Sequence, residues 1–237
     1  MSLLTMIGNV MNSMGFPRPA VVMSSTDQMV LELLALANTS GNDLVQAYPW
    51  QEITRQALFT STAAYSQGTI DSTIVTNGDF NRMVDNTLWN RSAILKATGP
   101  VTSAEWQADQ AFAAASPYPK FRLWQGQLWI GPSVPKAGDT WAFEYVSENW
   151  CQGAAGTAQP AWAADTDTGI LDENLMRQDI IWRWKSSKSL EYADDLASFT
   201  DNFNLRTGQS TGARSLFLGG ANTFFPINVP EGNWTTS

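Results

Sequence analysis

The chain has 237 residues, 43% of them hydrophobic and 15% charged, with a net charge of −8 and an isoelectric point near 4.5. This is the composition of a globular protein with enough length for one large or two small domains, not of a disordered one. Its acidity argues against a basic groove that wraps nucleic acid. It also contains no histidine, which removes Ser-His and Cys-His catalytic arrangements and most zinc and iron sites.

No apolar run approaches the roughly 20 residues of a membrane span. Met1–Met14 lacks the basic and apolar regions of a secretory signal, so the expectation is a soluble, unprocessed chain. Cys151 is the only cysteine, which excludes an internal disulfide. Eleven tryptophans invite either an interface or stacking on carbohydrate.

Met1–Met14 carries apolar residues at Leu3, Leu4, Ile7, Val10, Met11 and Met14, a helical spacing that Gly15-Phe16-Pro17-Arg18-Pro19 ends. Ser25, followed three residues later by Gln28, fits a capping box opening an apolar helix over Met29–Ala37. Ser40-Gly41-Asn42 is placed to kink or end that helix, with Leu44–Ala47 continuing it to Tyr48-Pro49.

From Gln56 to about Gly153 short strand-like runs replace helical periodicity. The predicted strands are Leu58–Thr60, Ser72–Val75, Ile94–Lys96, Lys120–Trp124, Gln127–Ile130 and Trp141–Val146. Gln125-Gly126 predicts a hairpin turn and Pro135–Asp139 a connecting loop. Thr102–Glu105, followed by Trp106–Phe112, predicts a short inserted helix that begins at a Ser/Thr cap. Cys151–Ala164, rich in Gly, Ala and Gln, predicts a loop.

Asp165-Thr166-Asp167-Thr168 reads as an acidic loop feeding a long helix. Asp172 and Glu173 fall in its first turn and Arg183, Lys185 and Lys188 towards its end, complementing the helix dipole. At about 100° per residue, Leu171, Leu175 and Trp182 form one stripe, while Met176, Ile180 and Trp184 form another on the opposite side. Two stripes fit either a helix central to its own core or one held between that core and a neighbouring subunit. The helix continues or breaks near Ser186-Ser187, and Leu190, Tyr192, Ala193, Leu196 and Phe199 supply a further apolar series. From Leu205 to Ser237 the helical period is lost, yet Phe217, Phe224, Phe225, Ile227 and Trp234 recur. This reads as an extended arm docking on another surface, against the alternative of a tail packed on its own domain.

Chemistry is sparse. Asp165-x-Asp167-x-Gly169 starts like a calcium loop, but the glycine falls at position five and Met176 stands where a bidentate Glu is needed. Cap and turn roles suit both aspartates better, and no metal is expected. Asp172 with Glu173, or Asp194 with Asp195, are adjacent on helices and point apart, so neither converges on a glycosidic bond. No phosphate-loop, dinucleotide or nucleophile-elbow pattern is present, so no cofactor and no catalytic residue is expected. Trp124, Trp129, Trp141 and Trp150 of the β region are expected mainly in the core. The residues alone give an α+β domain with an interaction surface and no active site.

The order of several short motifs adds to this. Trp50-Gln51-Glu52-Ile53-Thr54, Gly78-Asp79-Phe80-Asn81-Arg82, Asn86–Arg91, Thr98-Gly99-Pro100 and Glu105-Trp106 follow one another. Phe121-Arg122, Gly131-Pro132, Phe143–Ser147, Trp150, Asp165-Thr166-Asp167, Trp182-Arg183-Trp184-Lys185 and Tyr192-Ala193-Asp194 continue the series. Over roughly residues 25 to 200 this series resembles the head-to-tail adaptor proteins of tailed bacteriophages. Where that family carries a glycine just before the Tyr-Ala of the last motif, this chain has Ser189 or a neighbour, which leaves the local helix geometry open.

The resemblance implies a virion neck protein without enzymatic activity: a homo-oligomeric ring, usually of about twelve copies, docked beneath the portal protein. Such a ring joins the portal to the tail tube or nozzle protein and lets DNA pass, a role that an acidic lumen would suit. It implies a helical bundle with an inserted antiparallel β region and an extended C-terminal arm. In this chain residues 1–55 would be the first bundle helices, 56–153 the β region, 154–204 the completing loop and helices, and 205–237 the arm. Trp182, Arg183, Trp184, Asp165, Asp167 and Tyr192 would be structural or interface residues, with Phe217, Phe224, Phe225 and Trp234 as arm contacts. The alternative is a Trp-rich carbohydrate- or receptor-binding tail component.

Overall fold

The apolar spacing at residues 3, 6, 7, 10 and 11 produces a helix, and in the computed structural model Leu3–Ser13 form α1, with all five side chains buried. The structure describes residues 1–111 and 118–210. Phe112 and the arm residues Phe217, Phe224, Phe225 and Trp234 lie outside the described residues.

Gln28–Ala47 form α2, capped by Asp27, whose carboxylate accepts from Met29 N at 2.9 Å. The expected Ser25–Gln28 capping box is thereby corrected: Ser25 Oγ accepts from Asp27 N instead. Nor does α2 end at Ser40-Gly41-Asn42, since the helix runs through them to Ala47. Gly41 faces the Trp150 indole, and the missing Cβ lets the two elements close up without interrupting the helix.

Eleven short strands follow among the described residues: β1 Thr54–Thr60, β2 Ser66–Thr69, β3 Phe80–Met83, β4 Trp89–Asn90, β5 Leu95–Lys96, β6 Lys120–Trp124, β7 Gln127–Gly131, β8 Thr140–Ser147, β9 Cys151–Gln152, β10 Ala158–Gln159 and β11 Thr168–Gly169. They make three antiparallel sheets: β1-β8-β4-β5 with β3 also on β8, β2-β7-β6, and β10-β9-β11. The β6–β7 turn has Gln125 and Gly126 at φ of 51° and 70°, the left-handed pair a two-residue hairpin needs. The helix α3, Ser103–Ala111, starts where Thr102 Oγ1 accepts from Glu105 N.

Three expectations in this region are corrected. Residues 72–75 are not a strand: Ile70–Ile74 coil into one π-helical turn, closed by Val75 N donating to Ile70 O, because Ile70, Ile74 and Val75 all enter the core beneath the sheet. Ile94 precedes β5 at φ 55° and is 81% exposed. The 151–164 stretch is not only loop, since β9 and β10 pair within it and β11 joins them.

Glu173–Ser187 form α4 and Ala193–Ser210 form α5. The break at Ser186-Ser187 is a helix end whose C-terminal bonds run from Leu190 N to Lys185 O and from Ser189 N to Ser186 O. Ser189 takes φ 55°, the left-handed conformation that glycine favours at such a stop. Helix α5 continues through Ser210, correcting the expected loss of helix at Leu205.

Two apolar clusters result. One joins α1, α2 and α4 with Trp50, Ile53, Trp150 and Trp162. The other lies on the inner face of the sheets, around Phe121, Leu128, Ile130, Trp141 and Phe143. Strand β8 serves both, giving Val146 to the first and Trp141, Phe143 and Tyr145 to the second.

Candidate interaction surface

Both stripes of α4 are used within this chain. Leu175, Met176, Ile180 and Trp184 are buried with α1 and α2. The Trp182 side faces α5, its ring centroid 6.4 Å from those of both Tyr192 and Phe199. The reading in which the second side of α4 waits for a neighbouring subunit is corrected: α5 occupies it.

Trp182, Arg183 and Asp179 form one knot. The Trp182 Nε1–H donates to Asp179 Oδ1 at 2.8 Å, and Arg183 Nε lies 2.9 Å from Asp179 Oδ2. That second contact is an ion pair without an aligned hydrogen bond. Arg183 Nη1 reaches Asp43 Oδ2 of α2 at 2.8 Å, and its guanidinium lies 5.1 Å from the Trp182 ring centroid. Burial alone would lower the Arg183 pKa, but the two carboxylates outweigh it and hold it above its ordinary value. Trp184 points away from this knot and meets Phe16 edge-on at 5.9 Å.

Asp165 and Asp167 tie α1 and the segment after it to the loop before α4. The Asp165 carboxylate accepts from Val22 N and Met23 N, and its carbonyl accepts from Leu4 N. Asp167 is buried; its Oδ2 accepts from Ala163 N and Ala164 N at 2.8 Å each, while its carbonyl accepts from Leu3 N. Both carboxylates are thus filled by backbone donors.

Other motif residues, far apart in sequence, meet in space. Asp79, fully buried, accepts from Tyr145 Oη at 2.9 Å and Ser147 Oγ at 2.6 Å, and pairs with Arg55 Nη1 at 2.8 Å. A Cβ on Gly131 would stand 2.9 Å from Trp106 Cη2, and one on Gly99 2.8 Å from Phe121 Cδ1. Trp150 Nε1–H donates to Asn42 Oδ1. The sequence reading missed Arg55, Asp43 and Asp179 and singled out Asp79 only within a motif, because the hydrogen-bond partners of Asp79 lie 66 and 68 residues away.

One outward apolar surface among the described residues is the far face of the β1-β8-β4-β5 sheet. Leu58, Ala142 and Trp89 pair in one row across three strands and so share a face. Leu58 is 54% and Trp89 38% exposed, and Ile94 borders the same groove of about 460 Å³ as Trp89. Gln56, Asn86, Arg91 and Glu144 edge that groove. An apolar centre with a polar edge is the composition of a protein-docking surface. Strand alternation over Gln56–Thr60 could have revealed Leu58, since Ala57 and Phe59 point inward. Of the four β-region tryptophans, Trp141 and Trp150 are buried, Trp129 is half-buried and Trp124 is exposed. The Arg122 guanidinium covers the Trp124 ring at 5.2 Å, and Trp129 meets that ring at a tilt of 49°.

No protein-family model and no curated protein sequence matches this chain.

Proposed function

We propose that this chain is a structural virion protein, a head-to-tail adaptor whose copies form a ring of about twelve between the portal and the tail tube or nozzle of a tailed phage. The observation that carries the reading is the ordered motif series together with the places its residues take. Asp79 with Tyr145 and Ser147, Trp106 with Gly131, Gly99 with Phe121, and Asp165 and Asp167 with the N-terminal segment are braces of one fold. Those are positions where a shared architecture constrains sequence, so the resemblance is one of fold-determining residues.

On this reading α1, α2, α4 and α5 are the bundle, residues 54–147 the β region inserted in it, and the arm begins after Ser210. With α5 covering α4, lateral contact falls to the outer sheet face at Leu58, Trp89 and Ile94. An acidic chain repeated around a ring lets DNA move through its lumen without adhering, provided the charges face inward. The carbohydrate-binding alternative is less well supported, because Trp124, the exposed tryptophan of the β6–β7 hairpin, already carries Arg122 on its face.

The test is electron microscopy of the full chain mixed with the portal of the same phage. The expected result is an added ring layer on one face of the portal. A bare portal at saturating chain, or labelling of virions anywhere other than the neck, would overturn the reading. A glycan array should show no binding.

A further inference from the structure

Helix α5 is 18 residues long, yet none of its residues is buried. It lies on the rest of the chain through the half-buried rings of Phe199 and Phe203, whose centroids stand 6.4 Å from that of Trp182 and 5.7 Å from that of Trp50. Polar contacts complete the seam. Asn202 Nδ2 donates to Gln178 Oε1 at 2.8 Å, Arg206 pairs with Asp172, and Lys185 pairs with Asp195. An element so lightly enclosed is among the first to open locally, and its departure would uncover Trp50 and Trp182.

The connection to α4 can straighten. Lys188-Ser189-Leu190-Glu191-Tyr192 joins the two helices without a glycine or a proline, and all five residues are exposed. Helix-competent residues thus make a turn in which Ser189, at φ 55°, carries a Cβ that this conformation disfavours. With Ser189 in the right-handed region, α4 and α5 would run on as one helix from Glu173 to Ser210, about 57 Å long. Short hinges under strain are where copies of a chain exchange an element.

The surface uncovered by α5 is complementary to α5, so its natural occupant is the α5 of a second copy. Phe199, Asn202, Phe203 and Arg206 all lie beyond the hinge. In that copy they would meet Trp182, Gln178, Trp50 and Asp172 in the same pairs that form within one chain. These contacts are equal in both forms, so hinge strain and chain concentration decide between them.

We infer that α5 is an exchangeable element, which copies of this chain swap at high local concentration by straightening at Ser189. A reciprocal swap closes a pair, while a one-way swap passed from copy to copy closes a circle or extends a filament. The inference rests on the seam of α5 and its hinge, and requires neither the portal nor the outer sheet face.

Cross-linking between two full-length variants tests it. One carries Gln178→Cys and the other Asn202→Cys, each at a half-buried position of the seam, while Cys151 stays buried in both. The two are mixed, held concentrated below their melting temperature, and treated with a short bis-maleimide. A covalent pair on a denaturing gel is expected, growing with concentration. Its yield should fall at least about threefold when both chains also carry Ser189→Gly, which suits the turn and disfavours the continuous helix. It should rise with Ser189→Ala, which keeps the disfavoured Cβ in the turn but favours helix. Absence of the pair at every concentration overturns the exchange, as do oligomers in gel filtration that yield no pair. A yield indifferent to residue 189 overturns the hinge and the inference with it. Portal binding is scored separately, so either reading can fail alone.

Discussion

The indole of Trp150 occupies the space where residue 41 would carry a side chain: a Cβ on Gly41 would stand 2.5 Å from Trp150 Cδ2 and Cζ2. Trp150 is fully buried and anchored through its Nε1–H to Asn42, so the ring has nowhere to retreat. Gly41→Ala would gain about 1 kcal/mol of helix propensity. Against that, overpacking costs about 3 kcal/mol here, at the upper end of the usual range. The net expectation is a loss of on the order of 2 kcal/mol in denaturant unfolding. Gly208→Ala is the control, since its Cβ meets nothing within 4 Å in α5 and should leave stability unchanged or improved.

Asp79 is a buried carboxylate that three side chains satisfy at once. Asp79→Ala leaves Arg55 without its partner and two hydroxyls without their acceptor, and should cost about 3–5 kcal/mol. Asp79→Asn keeps an acceptor for Tyr145 or Ser147 but loses the charge facing Arg55, so its midpoint in urea should fall between those of Ala and the parent. Equal midpoints for the two variants would mean that the charge facing Arg55 carries the whole effect, whereas an Asn midpoint equal to the parent's would mean that the charge contributes nothing.

Ser189 holds φ 55° with a Cβ, a conformation that costs a non-glycine residue about 1 kcal/mol or more. Because the C-terminal bonds of α4 already close around it, Ser189→Gly relieves strain without rebuilding anything. A gain of about 0.5–1 kcal/mol is expected, roughly 1–4 °C in melting temperature for a chain of this size. Ser189→Val should lose stability at the same position. A lower melting temperature for the glycine variant would disprove the strain.

Two buried acids make stability fall in alkali. Burial, with Asp167 nearby, pushes the Cys151 thiol up to about 12 from 9.0. Burial, with the hydrogen bond to Asp79, pushes Tyr145 up to about 12 from 10.0. The unfolded chain therefore releases both protons first, and stability present below pH 9 is lost as pH rises towards 12. Unfolding at pH 11 should require on the order of 4 kcal/mol less than at pH 8, at about 1.4 kcal/mol per pKa unit over about two units for Cys151 and one for Tyr145. At pH 8 Cys151 should resist maleimide when folded and react fully in denaturant. A flat stability profile from pH 9 to 11 would refute the account.

The sequence disclosed what depends on local periodicity and hid what depends on closure. Helices α1, α2 and α4 and the β6–β7 hairpin followed from apolar spacing and turn residues. Val75 shows the limit: a β-branched run reads as strand, yet the core beneath the sheet draws Ile70, Ile74 and Val75 inward together, and a π-helical turn alone delivers all three. Strands β3 and β4 are four and two residues long, too short to carry an alternation, and exist because β8 offers them an edge. The two stripes of α4 were legible, but whether α5 or a neighbouring subunit covers the second depends on a turn at Ser189 that periodicity does not encode. Asp167 serves as the turn residue expected, since its carboxylate finds Ala163 N and Ala164 N locally, whereas the Asp165 carboxylate reaches Val22 N and Met23 N across the fold, which no local pattern encodes.

The outer sheet face separates a docking role from a merely tolerated exposure of apolar groups. Leu58 and Ile94 contribute little to either core, so Leu58→Gln with Ile94→Ser should leave stability within about 0.5 kcal/mol. Both replacements are neutral, which leaves the −8 charge and hence long-range steering as they were. If this face carries the contacts between subunits, the chain concentration needed to build a ring layer on the portal should rise at least tenfold, equivalent to about 1.4 kcal/mol. The loss should repeat at every junction of a closed ring, so partial layers should become rare before they become short. A variant that melts like the parent and assembles like it would remove this face from the proposal and leave the β6–β7 hairpin, with Trp124 exposed at its end, as the surface to test next.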